Sequence, residues 1–123
     1  MRRSKAASSA IAPFLGDPAW SACELLIKAF EEAWRRNEAP QIDKYLRADG
    51  PERRALLVEL VHIDLEFRLK SGEDVQVENY LRSFPQLASY RETVLDLIMA
   101  EYEQRIRNQG GARPEEYGVR FPQ

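Results

Sequence analysis

The chain has 123 residues, 44% hydrophobic and 31% charged, with a formal net charge of −2. That size and mixture fit one globular domain with an ordinary core, and a single cysteine, Cys23, excludes a disulfide scaffold. The mildly acidic balance argues against a general nucleic-acid binder, and no apolar run approaches the length of a membrane span, so the expected setting is reduced and cytoplasmic.

Residues 1–16 show no apolar periodicity and read as a disordered N-terminal lead carrying Arg2, Arg3 and Lys5. Ser8, Ser9 and Pro13 interrupt its short apolar run, which argues against an export signal. A helical domain is expected over 17–123. Asp17-Pro18 has the form of an N-cap followed by proline at the first helical position, with Ser21 and Glu24 as an alternative capping box. Leu26, Ala29, Phe30, Ala33 and Trp34 then recur at helical spacing, with Glu31 set to pair with Arg35 and Glu32 with Arg36. Asn37 and Pro40 end this first long helix, placed near 18–37.

The second long helix is expected near 52–71, after Asp49-Gly50-Pro51 and up to Ser71-Gly72. Leu56, Leu60, Ile63 and Phe67 form one stripe on it, and Val61, Leu65 and Leu69 another. Two apolar faces imply neighbours on both sides. The third is expected near 87–109, with Leu87, Tyr90, Val94 and Leu97 on one face, Leu95, Ile98, Tyr102 and Ile106 on another, and Gly110-Gly111 as its stop. The predicted core gathers Leu26, Phe30, Trp34, Tyr45, Leu56, Leu60, Ile63, Phe67, Leu69, Tyr80, Phe84, Val94, Ile98, Tyr102 and Ile106. Nothing alternates long enough to read as a strand.

Short helices are expected between and after these, near 41–48, 76–83 and 113–118. They carry Gln41-Ile42-Asp43-Lys44-Tyr45-Leu46-Arg47, then Gln76-Val77-Glu78-Asn79-Tyr80-Leu81-Arg82-Ser83-Phe84-Pro85, then Arg113-Pro114-Glu115-Glu116-Tyr117-Gly118-Val119-Arg120-Phe121-Pro122. The tyrosines lie 35 and then 37 residues apart. Fifteen residues before them stand Phe30, Leu65 and Tyr102, and eleven before them Trp34, Leu69 and Ile106. Self-similarity at this period implies one supersecondary unit used repeatedly. The expected fold is therefore all-α: a small bundle of three long helices alternating with short ones. The third copy reaches Gln123 without the long apolar stretch that follows the first two, so a continuing chain is expected.

Phe30-Glu31-Glu32-Ala33-Trp34-Arg35-Arg36 with Ala39-Pro40-Gln41-Ile42-Asp43-Lys44-Tyr45-Leu46, and Glu78-Asn79-Tyr80-Leu81-Arg82-Ser83-Phe84-Pro85, carry a resemblance. Arg54 to Leu60 and Ile63 to Arg68 share in it. These segments resemble the helical region that precedes the catalytic domain in planctomycete-type bacterial serine/threonine protein kinases, over roughly residues 25–123. The resemblance implies a non-catalytic regulatory or docking module of a signalling enzyme, with a kinase domain downstream. The departure is the third tyrosine element, Tyr117 to Pro122, where that family usually has one such unit before the kinase.

This chain itself lacks the parts of phosphoryl transfer: no glycine-rich loop, phosphate-holding lysine or magnesium-binding acids at the required spacings. No catalytic residue, cofactor or metal site is assigned to it. ATP and magnesium belong to the downstream domain that the resemblance implies. His62, the only histidine, has Glu59 and Glu66 at helical neighbour spacing, which reads as a helix surface before it reads as a metal or catalytic cluster. Cys23, near a helix start, reads as a core filler before a reactive thiol. Tyr45, Tyr80 and Tyr117 read as packing anchors before phosphosites. Arg47, Arg53 and Arg54, and Arg105, Arg107 and Arg113, lie among acids and read as mixed-charge surface rather than a recognition helix.

Three residues are candidates for protein contact: Trp20, which either caps the bundle or offers an exposed anchor, and Tyr117 and Phe121. Tyr117, Val119 and Phe121 either fold back near Tyr102 and Ile106 or leave an apolar patch for self-association or a following segment. The expected partners are a protein or a kinase domain in cis, with a homodimer as the self-associating form, and no nucleic acid. The alternative functions are a stand-alone helical adaptor and, behind it, a helix-turn-helix DNA binder.

Overall fold

The computed structural model describes residues 18–48, 50–108 and 114–121. The expected lead, the Asp17 cap, Arg113, the Gly110-Gly111 stop and the final two residues lie outside them. All regular structure among the described residues is helical: α1 Pro18–Arg35, α2 Ile42–Tyr45, α3 Glu52–Lys70, α4 Val77–Ser83, a 3-10 helix Pro85–Ser89, α5 Arg91–Asn108 and α6 Pro114–Arg120. The chain divides into two compact units, residues 1–64 and 65–123.

In the first unit, α1 starts with Pro18, whose ring fixes φ at a helical value and whose missing N–H costs nothing there. Its buried face is Trp20, Cys23, Ile27, Phe30 and Trp34, spaced three, four, three and four. This is rotated from the expected stripe: Leu26 is half-buried and Ala29 exposed, while Trp20, Cys23 and Ile27 face the core. The surface pairs differ as well. Arg35 bridges Glu32 at 2.7 Å and Arg36 bridges Glu38 at 3.0 Å, while Glu31 is buried.

Asn37 ends α1 in the left-handed region, φ 59°. Its N–H donates to the Trp34 carbonyl and the Glu38 N–H to the Ala33 carbonyl, the two bonds of a Schellman cap. The chain then turns into α2, where the Tyr45 ring meets the Phe30 ring edge-on at 5.1 Å. Ile42 and Leu46 are buried beside it. Arg53 donates to the Leu46 and Ala48 carbonyls at 3.0 and 3.2 Å, tying α2's exit to the start of α3. From Ala55 to Asp64 every side chain of α3 is buried, as two apolar faces on one helix require.

In the second unit, α3 ends as α1 does. Gly72 takes φ 89°, with Gly72 N–H donating to the Leu69 carbonyl and Glu73 N–H to the Arg68 carbonyl. Arg68 also bridges Glu73 at 2.9 Å. The Asn79 side chain accepts the Gln76 N–H at 2.8 Å and opens α4. Val77 and Tyr80 of α4 are buried. Pro85 then starts a separate 3-10 turn that buries Leu87. Tyr90, at φ −107° and ψ 83°, breaks it from α5, so the third long helix begins at Arg91 rather than near residue 87.

Candidate protein-interaction surface

In the second unit, α6 is held on α5 and α4 by one buried carboxylate. Glu101 is fully buried on α5. Its Oε1 accepts the Val77 N–H at 2.9 Å and an N–H of Arg120 Nη2 at 2.8 Å. Its Oε2 accepts from Arg105 Nε at 3.2 Å and Arg120 Nη1 at 2.5 Å. The rest of the Arg120 fork donates to Glu78, from Nε at 2.9 Å and from Nη2. One guanidinium thus joins two acids from two helices, which is the planar, multidentate geometry that lysine lacks. Burial works against the charged Glu101, but the bonds from Arg120 and the Val77 N–H outweigh it and hold its carboxyl below the usual value. Arg120 likewise holds Glu78 below its ordinary value. Arg105 extends the network to Asp74 and the Val75 carbonyl.

The aromatic side of α6 packs in the same place. The Tyr117 ring meets Tyr102 edge-on at 5.4 Å, and the Arg120 guanidinium lies 4.8 Å from the Tyr117 ring centre and 5.0 Å from that of Phe121. Burial, then Glu101, pushes the Tyr117 hydroxyl well up from its usual pKa. Of the two alternatives for this segment, fold-back is therefore what Tyr117 does. Val119 does not take part; it is 82% exposed.

Fold-back nevertheless leaves an apolar surface. Ala88 and Arg91, then Val94, Leu95 and Ile98 along α5, and Tyr117 and Phe121 across from them line an open groove. Beside it, Leu95, Met99 and Ile106 are 46%, 56% and 47% exposed. Ile106 was expected in the core. It sits outside because α5 turns Leu97, Ala100, Glu101 and Gln104 inward, and the opposite face receives no cover among the described residues. This surface can bury an apolar helix or side chains; nothing in it activates a nucleophile.

The other sequence candidates fall as follows. Trp20 is 2% exposed and belongs to the core of the first unit, so it offers no surface anchor. Tyr117 is 9% exposed and Phe121 half-buried, and both line the groove. Tyr45 packs on Phe30 and Tyr80 is buried, as packing anchors are. Cys23 is buried, and burial followed by the Glu52 charge pushes its thiol up, away from reactivity. His62 is buried with neither ring nitrogen hydrogen-bonded, and burial lowers its pKa to about 4. No group of three or more His, Cys, Asp or Glu suited to a metal ion occurs among the described residues. Of the basic spots, Arg53 is engaged with carbonyls and Arg105 with acids. The Glu101–Arg120–Glu78 network was missed in the sequence. Its one signal was an acid, Glu101, on the same face as Leu97 and Gln104.

No protein family, curated protein or solved structure matches this chain. Among the described residues, no helix is long and apolar enough to cross a membrane.

Proposed function

We propose that this chain is a non-catalytic protein-docking module, built from a repeated unit of long helix, cap and short helix, and that it serves a bacterial serine/threonine protein kinase. The sequence resemblance supplies the kinase; the observation that carries the docking role is the exposed apolar stripe and groove on α5 and α6. Three pairs of features support the repeat. The Schellman caps at Asn37 and Gly72 lie 35 residues apart, the same spacing as Tyr45 and Tyr80. The edge-on pairs Phe30–Tyr45 and Tyr102–Tyr117 both span 15 residues. Ile42 and Val77, three residues before the first two tyrosines, are both buried.

The stand-alone adaptor would use the same face without an enzyme. Reading the gene past codon 123 and titrating the encoded catalytic domain with this chain by calorimetry separates the two. Saturable binding that Met99→Glu abolishes is expected. A stop codon, or a catalytic domain that does not bind, removes the kinase role and leaves the adaptor.

A further inference from the structure

The open face of α5 has one acidic edge. Leu95, Met99, Tyr102 and Ile106 follow each other at four, three and four residues and form a single stripe. Leu95, Met99 and Ile106 are exposed and Tyr102 half-buried. One border of the stripe is the groove with Ile98, Tyr117 and Phe121. The other border, by helical spacing, carries Glu92, Asp96 and Glu103, four and then seven residues apart. Glu92 and Glu103 are exposed and Asp96 half-buried, and none of the three meets a cation among the described residues. By contrast, Glu73, Asp74, Glu78 and Glu101 each bridge an arginine. Arg91, on the groove side, is engaged within the chain. Arg107, one turn past Glu103, offsets one charge and leaves the edge negative.

The macrodipole accounts for Glu92 in the first turn of α5, but not for Asp96 or Glu103 beyond it. Glu92 and Asp96, four residues apart, repel each other at a local cost to the helix. Burial and then Glu92 push the Asp96 carboxyl up. A cation brought by a partner removes that repulsion. The stripe also sets the partner's form. From Leu95 to Ile106 it runs about 16 Å, three turns of helix. All regular structure among the described residues is helical, so none of it offers a strand edge to an extended peptide. A helix satisfies its own N–H and C=O groups and can lay side chains on an apolar face. Resting on the docking reading above, we propose that the partner at this face is an amphipathic helix with lysine or arginine along the edge that meets Glu92, Asp96 and Glu103.

Two synthetic helices of about 18 residues test this. Both carry leucine at alternating four- and three-residue spacing; one has lysine beside that stripe and the other glutamate at the same positions. Each is titrated into the full chain by calorimetry, with the methyl signals of Leu95 and Met99 followed by NMR. The lysine helix should bind at least about tenfold more tightly, shifting both signals, and the gap should narrow at about 0.5 M salt. Glu103→Lys should weaken the lysine helix, and Asp96→Lys with Glu103→Lys should reverse the order of the two, with helix content unchanged. Equal affinities, no reversal, or shifts confined to another face overturn the basic partner. Self-association of the chain alone that Met99→Glu abolishes puts a second copy on the face and overturns it too. In each of those cases, Met99-dependent binding of the catalytic domain keeps the docking reading, and its absence removes that reading as well.

Discussion

Glu101 shows what one misplaced charge would cost. Replacing Arg120 with alanine leaves a fully buried carboxylate with only the Val77 N–H and Arg105, and takes away both Arg120 bonds to Glu78. Breaking a buried pair from one side costs more than the pair was worth, because the remaining charge stays desolvated. We expect Arg120→Ala to lose about 2 kcal/mol in urea denaturation, less than for an isolated buried ion since two donors remain. Val119→Asp, one position away but exposed, should change stability by under about 0.5 kcal/mol. His62 sets a separate pH limb. In the unfolded chain its imidazole takes a proton as pH falls through 6.5; in the fold it stays neutral down to about 4. Between those values the unfolded state holds more protons, so stability falls with falling pH, by about 3 kcal/mol in all at 1.36 kcal/mol per unit. Denaturant midpoints measured from pH 7 to 4 should show this slope, and His62→Leu should flatten it. Glu78 and Glu101 act at lower pH and with the carboxylate sign. Their folded pKa values are depressed, so their contribution is complete above the ordinary value and disappears as pH falls through the depressed ones.

The helix ends carry the second kind of prediction. A Cβ at Gly72 would meet nothing within 4 Å, so Gly72→Ala isolates the backbone cost of φ 89°. That cost should be about 1 kcal/mol. Asn37 holds the same cap position at φ 59°, and Asn37→Gly should gain a few tenths of a kcal/mol. Chemical denaturation of the two variants checks both signs. These caps were readable from sequence because Asn and Gly are the residues that accept the left-handed region, and the residues before them are helical in period. The all-round burial of α3 was readable too, from its two stripes. The face of α1 was misjudged because small Ala29 counted as much as bulky Trp20 and Ile27 in a spacing pattern, although volume decides which side faces the core. The break at Tyr90 was missed for a different reason: its ψ of 83° follows from how the 3-10 turn ends, and no residue type announces it.

For the whole molecule, the contrast that matters is between covered and open apolar faces. Cys23, Ile27, Phe30 and Trp34 of α1 and Val58, His62, Leu65 and Leu69 of α3 are buried, whereas Leu95, Met99 and Ile106 of α5 are exposed. The sequence displayed the stripe, but periodicity reports only that a face is apolar, so Ile106 was assigned to the core. Likewise the acid that anchors α6 looked like any surface acid, since its arginine stands 19 residues away and local spacing cannot see it. Because Arg120 and Tyr117 anchor α6, deleting residues 112–123 should lower Tm by several degrees for each 1 kcal/mol or so lost. The most direct test of the open face is hydroxyl-radical footprinting of Leu95 and Met99 in the dilute chain and in its complex. The account predicts strong labelling of both when dilute, with Val58 and Leu65 unlabelled, and protection of Leu95 and Met99 once the partner is bound. Labelling of Met99 that does not change on complex formation would contradict it.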